Sequence, residues 1–221
     1  KAGGADVLNE EGTIDSQVSA NVDAGFSIVT YTGNTTAGAT IGHGLDNSPE
    51  LIFFKRRNAT NNWIAVQTIE GVGGYLDLTN AMTTGNYNTW LNNTDPTNTV
   101  IELSDRVYIN GGDMLAYCFH SVDGYSKIGT YEGTGATNYI DIEFRPSFVM
   151  IKNIDTSGTN WVIVDNKRDN ADAWLYPNEP DLEYDDAATY TQFYADGFIN
   201  YSTSSYNNAS GATYIYMAFA E

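Results

Sequence analysis

Two sets of side chains in this sequence have types and spacing that can do chemistry, and both lie in polar stretches. Trp90, Trp174, Tyr176 and Tyr184 stand among Asn, Asp, Glu and Thr, outside the clearest strand-like runs. Sugar rings stack on aromatic faces while neighbouring amides and carboxylates hydrogen-bond their hydroxyls, so these four are the candidate ligand-binding residues. The second set is Asp181, Glu183, Asp185 and Asp186, whose oxygens suit Ca²⁺, an ion that takes about six to eight of them. Their spacing lacks the glycine turn of a calcium loop, and a solvated acidic loop is the plainer reading. Trp174 also has a packing alternative, because WLY aligns with the run YLD at Tyr75 and would cover the edge of a core. Tyr184, between Glu183 and Asp185, is the better surface candidate.

Other chemistry finds less support. His43 lies between two glycines, and His120 continues an apolar run; neither has a Ser partner in a nucleophile elbow. HExxH, CxxC, GxGxxG and the P-loop are absent, so no zinc site, nucleotide site or cofactor is expected. Cys118 is the one cysteine, which excludes an internal disulfide, and its run MLAYCFH makes it a small core residue. Carboxylates are abundant enough for a glycosidase pair, but inventory alone does not make a site. The expectation is a protein without catalytic residues.

The scaffold that must carry these residues announces itself by repetition. SPELIFFKRRNATNNWIAV, from Ser48 to Val66, returns as RPSFVMIKNIDTSGTNWVIV, from Arg145 to Val164. Each copy has a Pro, an apolar run, a polar turn, Asn-Trp and a second apolar run, which is the pattern of a β-hairpin. Around it, GFSIVTYTG from Gly25 is answered by GYSKIGTYEG from Gly124, and MLAYCFHS from Met114 by YIYMAFAE from Tyr214. Thr30 and Thr130 are 100 positions apart, Pro49 and Pro146 97, Trp63 and Trp161 98, Phe119 and Phe219 100. Several anchors in one order at nearly one offset indicate duplication. The predicted fold is all-β: two tandem antiparallel β-sandwich domains, jelly-roll-like, at 25–122 and 123–221. Residues 1–24 are weakly patterned and are expected to be a linker or edge segment from a preceding unit. Residues 80–99 read as a loop, Tyr75–Thr79 and Val107–Ile109 as strands.

Composition agrees. Apolar residues make up 42% and charged residues 17%, enough to build a core. The 16 Tyr and 21 Gly suit short strands and turns. A formal charge of −18 repels phosphate backbones and anionic lipid, so nucleic acid and membrane surfaces are poor partners. No apolar run approaches the length of a membrane-crossing helix.

GFSIVTYTGNTTAGATIGHGL, PELIFFKRR, RPSFVMIKN, WLYPN and ATYIYMAFAE together resemble a tandem domain of unknown function in long phage structural proteins, described as tail fibres or tail proteins and often from marine phages. The resemblance runs from Lys1 to Glu221, and the opening KAGG is similar to the exit from another such unit. It implies an extracellular virion location, a place in the C-terminal part of a fibre, other tail proteins as partners, and homo-oligomers, with three-fold bundles common among fibres. It implies no catalytic residues. The expected function is attachment to a host-surface glycan. A ligand-free decoration or fibre-packing module is the alternative, and a capsule depolymerase the third. In a trimer of chains this acidic, the contacts should run through residues 1–24 and neutral faces, with 181–186 pointing outward.

Overall fold

The computed structural model describes residues 4–168, 173–185 and 191–221. The chain is all-β in its architecture, with two β-rich units. Unit 1 comprises Lys1–Leu76 and Met82–Ser121; unit 2 comprises Asp77–Ala81 and Val122–Glu221. The short piece 77–81 falls outside the expected first repeat because the second hairpin turn binds it. Gly158 N–H donates to Thr79 O (2.8 Å), and Ala81 N–H donates to Ser157 Oγ (3.1 Å).

In unit 1 the strands are β1 (Val7–Asn9), β2 (Ser16–Asn21), β3 (Phe26–Asn34), β4 (Ala39–Gly42), β5 (Leu51–Arg56), β6 (Ile64–Gln67), β7 (Val72–Tyr75), β8 (Val100–Leu103) and β9 (Gly111–Phe119). Seven of them form an antiparallel sheet in the order β1-β2-β3-β9-β5-β6-β7, and β4 pairs with β8 separately. Alternation decides the faces. Val29, Tyr31, Met114, Ala116 and Cys118 point into the core with Ile52, Phe54, Ile64 and Val66. The intervening Phe26, Tyr117 and Phe119 make an aromatic run on the opposite face, joined by Phe53 and Trp63.

Unit 2 contains β10 (Ser126–Glu132), β11 (Asn138–Asp141), β12 (Pro146–Asn153), β13 (Trp161–Asp165), β14 (Ala173–Trp174), β15 (Tyr184–Asp185), β16 (Thr191–Tyr194), β17 (Gly197–Asn200) and β18 (Thr213–Ala220). Its sheets are β10-β18-β12-β13, β11-β17-β16 and β14-β15. The order β10-β18-β12-β13 reproduces β3-β9-β5-β6 strand for strand. The pair β11-β17 stands where β4-β8 stands in unit 1. The strand orders of all these sheets are open ones.

Of residues 1–24, β1 and β2 form the edge of the unit 1 sheet, because Val18 alternates into its core. Three expectations need correction. The 80–99 loop contains a helix, α1 (Thr84–Trp90), held by the Thr83 hydroxyl accepting from Asn86 N–H (3.1 Å) and by burial of Tyr87 and Trp90. The strand expected at 75–79 is instead β7, VGGY. Two glycines make a weak strand signal, yet a Cβ on Gly73 would lie 2.8 Å from the Trp90 ring, so bare backbone is what lets α1 pack there. Val107–Asn110 is a one-turn helix, α2, rather than a strand.

One buried asparagine per unit pins the turn that follows the smaller sheet. Asn110 Nδ2 donates to Ser104 O (2.8 Å) and Thr36 O (3.0 Å), while its Oδ1 accepts from Asn34 N–H (2.9 Å). Asn208 Nδ2 donates to Ser202 O (2.7 Å) and Ala136 O (2.6 Å), and its Oδ1 accepts from Thr134 N–H (3.0 Å). Asn110 and Asn208 N–H donate to Arg106 O and Ser204 O (both 2.8 Å). The hydroxyls of Tyr31 and Tyr131 reach Ile109 O and Asn207 O. These matched bonds place Tyr108 and Tyr206 at corresponding points of the two units.

Candidate functional site

Three of the four candidate aromatics meet in unit 2. β14 and β15 pair Trp174 with Tyr184, and Leu175 exchanges two backbone hydrogen bonds with Ile163 of β13 (2.8 and 3.1 Å). This anchors the WLY run to the main sheet. The Trp174 ring lies 6.3 Å from Tyr184 and 6.4 Å from Tyr206, and Tyr176 lies 6.4 Å from Tyr184 and 5.7 Å from Tyr206. Burial grades outward. Trp174 is fully buried in the core, Tyr176 and Tyr206 are half-buried, and Tyr184 is 40% exposed. The patch therefore has a core-anchored floor and an aromatic surface, an arrangement that can take the apolar face of a ring.

Its polar groups are donors and carboxylates. The buried Trp174 Nε1–H has no hydrogen-bond partner among the described residues. Burial, with Tyr206, Tyr184 and Asp181 nearby, pushes the Tyr176 phenol up to about 12, so it stays a neutral donor at physiological pH. Glu183 Oε2 accepts from Arg168 Nη1 (2.5 Å), and Arg168 Nε donates to Asp165 Oδ2 (2.7 Å). Burial alone would raise the Asp165 carboxyl. The Arg168 guanidinium and the Lys167 and Arg168 backbone N–H groups hold it below the usual carboxylate range.

Trp90 does not belong here. It is 3% exposed in unit 1, where α1 lays it against Gly73 and edge-on to Tyr75 (5.6 Å, 69°). The reading of Trp90 as a loop aromatic fails because the loop is a helix whose last residue faces the core. The packing alternative for Trp174 holds, while its neighbours Tyr176 and Tyr184 reach the surface. Of the acidic set, Glu183 is engaged by Arg168, Asp181 is exposed, Asp185 pairs through its backbone with Ala173, and Asp186 lies outside the described residues. Among the described residues, no group of three His, Cys, Asp or Glu side chains could hold a metal ion.

The chain matches, over residues 1–221, the family described as "Domain of unknown function (DUF7483)". It belongs to that family. No curated protein and no solved structure matches it.

In this DUF7483 chain both histidines are buried. His43 Nδ1 accepts from Leu45 N–H (3.2 Å), its Nε2 donates to Thr97 O (3.2 Å), and burial lowers its pKa. His120 is buried, with Nδ1 donating to Ser121 O (2.8 Å). Burial pushes the Cys118 thiol up to about 12, leaving it no nucleophile. Sequence reasoning missed Tyr206, which looks like one more Tyr in a Ser/Asn turn. The signal that finds it is its partner at the same offset as the tryptophans, Tyr108, 98 positions earlier.

Proposed function

We propose that this chain is a distal module of a phage tail fibre, a virion protein that attaches to a glycan on the host surface. In this reading each unit is a β-sandwich, the two arose by duplication, and unit 2 carries a saccharide-binding face. The observation that carries it is the convergence of Tyr176, Tyr184 and Tyr206 over Trp174. Stacking aromatics beside acceptor carboxylates and phenolic donors suit a sugar better than a hydrolytic reaction, which needs a positioned acid and base. The fibre assignment rests on the resemblance of the whole chain to phage structural domains. The proposed assembly is a homotrimer contacting other tail proteins. Val7 and Leu8, 63% and 54% exposed on the edge strand β1, support the 1–24 segment as the contact between copies.

A glycan array with the full chain tests the reading. Binding to a defined set of glycans that Tyr184→Ala weakens, with an unchanged melting temperature, is the expected result. No binding on the array would leave a ligand-free packing module, and release of reducing ends from host polysaccharide would point to a depolymerase.

A further inference from the structure

Unit 1 has its own version of the aromatic patch, and there it is open. Strand pairing fixes the correspondence. In unit 1 Ala65 faces Gly74, so Tyr75 follows it; in unit 2 Ile163, 98 positions after Ala65, faces Leu175, so Tyr176 follows it. Tyr108 corresponds to Tyr206 through the matched asparagine-pinned turns. In unit 2 these two tyrosines lie together, 5.7 Å apart, and Tyr184 arrives from β15 to close over Tyr176. In unit 1 the element after β7, the counterpart of β14, is the helix α1 instead of β15, and its Trp90 packs against Gly73. Tyr75 and Tyr108 are left on the walls of a cleft of about 280 Å³, with Thr60, Asn61, Asn62 and Ile64 completing it.

The lining selects the ligand. Tyr108 is 41% exposed, and Tyr75 is steadied from behind by the edge-on Trp90 ring. Thr60 and Asn62 are exposed, offering a hydroxyl and a carboxamide. Asn61 Oδ1 is buried with no hydrogen-bond partner among the described residues, an acceptor waiting for a donor. Its backbone carbonyl is already held by Lys55 Nζ, which fixes the turn and engages that ammonium. No charged side chain lines the cleft, and a net charge of −18 disfavours an anion. The volume falls just under the roughly 300–1,000 Å³ of pockets for drug-sized ligands.

We propose that the unit 1 cleft is a second saccharide site, taking one uncharged hexopyranose residue between Tyr75 and Tyr108 with its hydroxyls on Asn61, Asn62 and Thr60. The ligand class rests on the attachment reading, but the site is separate from the unit 2 face.

The test is saturation-transfer NMR and titration of the full chain with neutral oligosaccharides of glucose, galactose and mannose, alongside uronic-acid oligosaccharides. Tyr108→Ala should weaken binding of a neutral oligosaccharide by about tenfold, as loss of one stacking wall would, and Tyr108→Phe should retain it. Both variants should melt with wild type, because Tyr108 is a surface residue. Unchanged binding in Tyr108→Ala would overturn the cleft; if Tyr184→Ala then abolished binding, attachment would stand on unit 2 alone. Preference for uronic-acid oligosaccharides would overturn the uncharged specificity. Failure of every oligosaccharide to bind wild type would remove the attachment reading together with the cleft.

Discussion

The hairpins β5–β6 and β12–β13 carry one device in two settings. In each, a lysine from the first strand reaches a carbonyl in the hairpin's own turn, and a tryptophan stands at the start of the second, Trp63 just before β6 and Trp161 opening β13 across from Lys152. Lys55 Nζ donates to Asn61 O; Lys152 Nζ donates to Thr159 O (2.6 Å) and Thr159 Oγ1 (3.0 Å). In unit 1 the pair is half-exposed, with Trp63 stacked on Tyr117 (6.2 Å) and Lys55 Nζ 5.7 Å from the Trp63 ring centroid. In unit 2 the same pair is buried, Lys152 at 0% and Trp161 at 2% exposure, and Asn178 Oδ1 accepts from Trp161 N–H (2.9 Å). The strand pattern that makes the hairpin is local. How wet its outer face is depends on what other segments lay over it, in unit 2 the 77–81 piece at the hairpin turn and the Asn178 turn at Trp161. The turn after Tyr176 brings Asn178 to the Trp161 N–H, whereas in unit 1 the residue after Tyr75, Leu76, donates its N–H to Trp63 O (3.1 Å).

The largest expected difference follows directly. Trp161→Ala removes a buried ring and should destabilise unit 2 by about 3–5 kcal/mol. Trp63→Ala uncovers a ring that is already part-solvated and should destabilise unit 1 by only about 1 kcal/mol. Denaturant unfolding of the full chain, followed by tryptophan fluorescence and circular dichroism, reads both. Equal losses would show that the two rings are equally buried in solution and break the comparison.

Alkaline pH should separate the units by sign. Burial lowers the Lys152 ammonium to about 8, so between pH 8 and its ordinary value near 10.4 the unfolded chain binds more protons than the folded one. Stability of unit 2 therefore rises with pH in that window, by about 2 kcal/mol at about pH 9.5. Cys118 in unit 1 runs the other way. Its thiol is raised by burial to about 12, so above its unfolded value the folded state holds the extra proton and stability falls. Lys152→Met should abolish the gain in unit 2, and Cys118→Ala the loss in unit 1. A melting profile in which both units lose stability from pH 8 to 9.5 would contradict the buried ammonium.

Legibility in the sequence followed side-chain pattern closely. FSIVTY, LIFF, FVMI and YIYMAFA alternate or run apolar, and each is a strand of the main sheets. VGGY of β7 has almost no side chains to pattern, and α1 (TGNYNTW) has few helix formers; both are stabilised by a tertiary contact, Trp90 over Gly73. Asn110 and Asn208 were invisible for another reason. A buried asparagine that caps a turn has the composition of a loop, and only its recurrence 98 positions later marks it. At the site, Tyr176 and Tyr184 were found by their polar neighbourhood. Trp90 sat in a similar neighbourhood and misled, because polar composition does not tell a loop from a short capped helix. Nothing in the sequence marks Tyr75 and Tyr108 as site residues, since their cleft exists only where α1 stands in place of β15.

The smallest effect should come from chelation. A calcium ion shared by Asp181, Glu183, Asp185 and Asp186 would bind only the folded chain and raise its stability by mass action, so its removal would lower the melting temperature of unit 2 alone. Two observations argue against such an ion. Glu183 already gives Oε2 to Arg168 at 2.5 Å, so a positive charge occupies the oxygen that such an ion would need from it. Arg168 is in turn fixed by Asp165, so releasing Glu183 to a metal would leave the guanidinium half-paired. EDTA should therefore leave the melting of both units within error of untreated protein, measured at low ionic strength where a weak carboxylate site would be most occupied. A fall of several degrees confined to unit 2 would instead mean that the acidic loop trades Arg168 for a cation. The Tyr184 surface beside it would then become a metal-supported sugar site, unlike the uncharged cleft of unit 1.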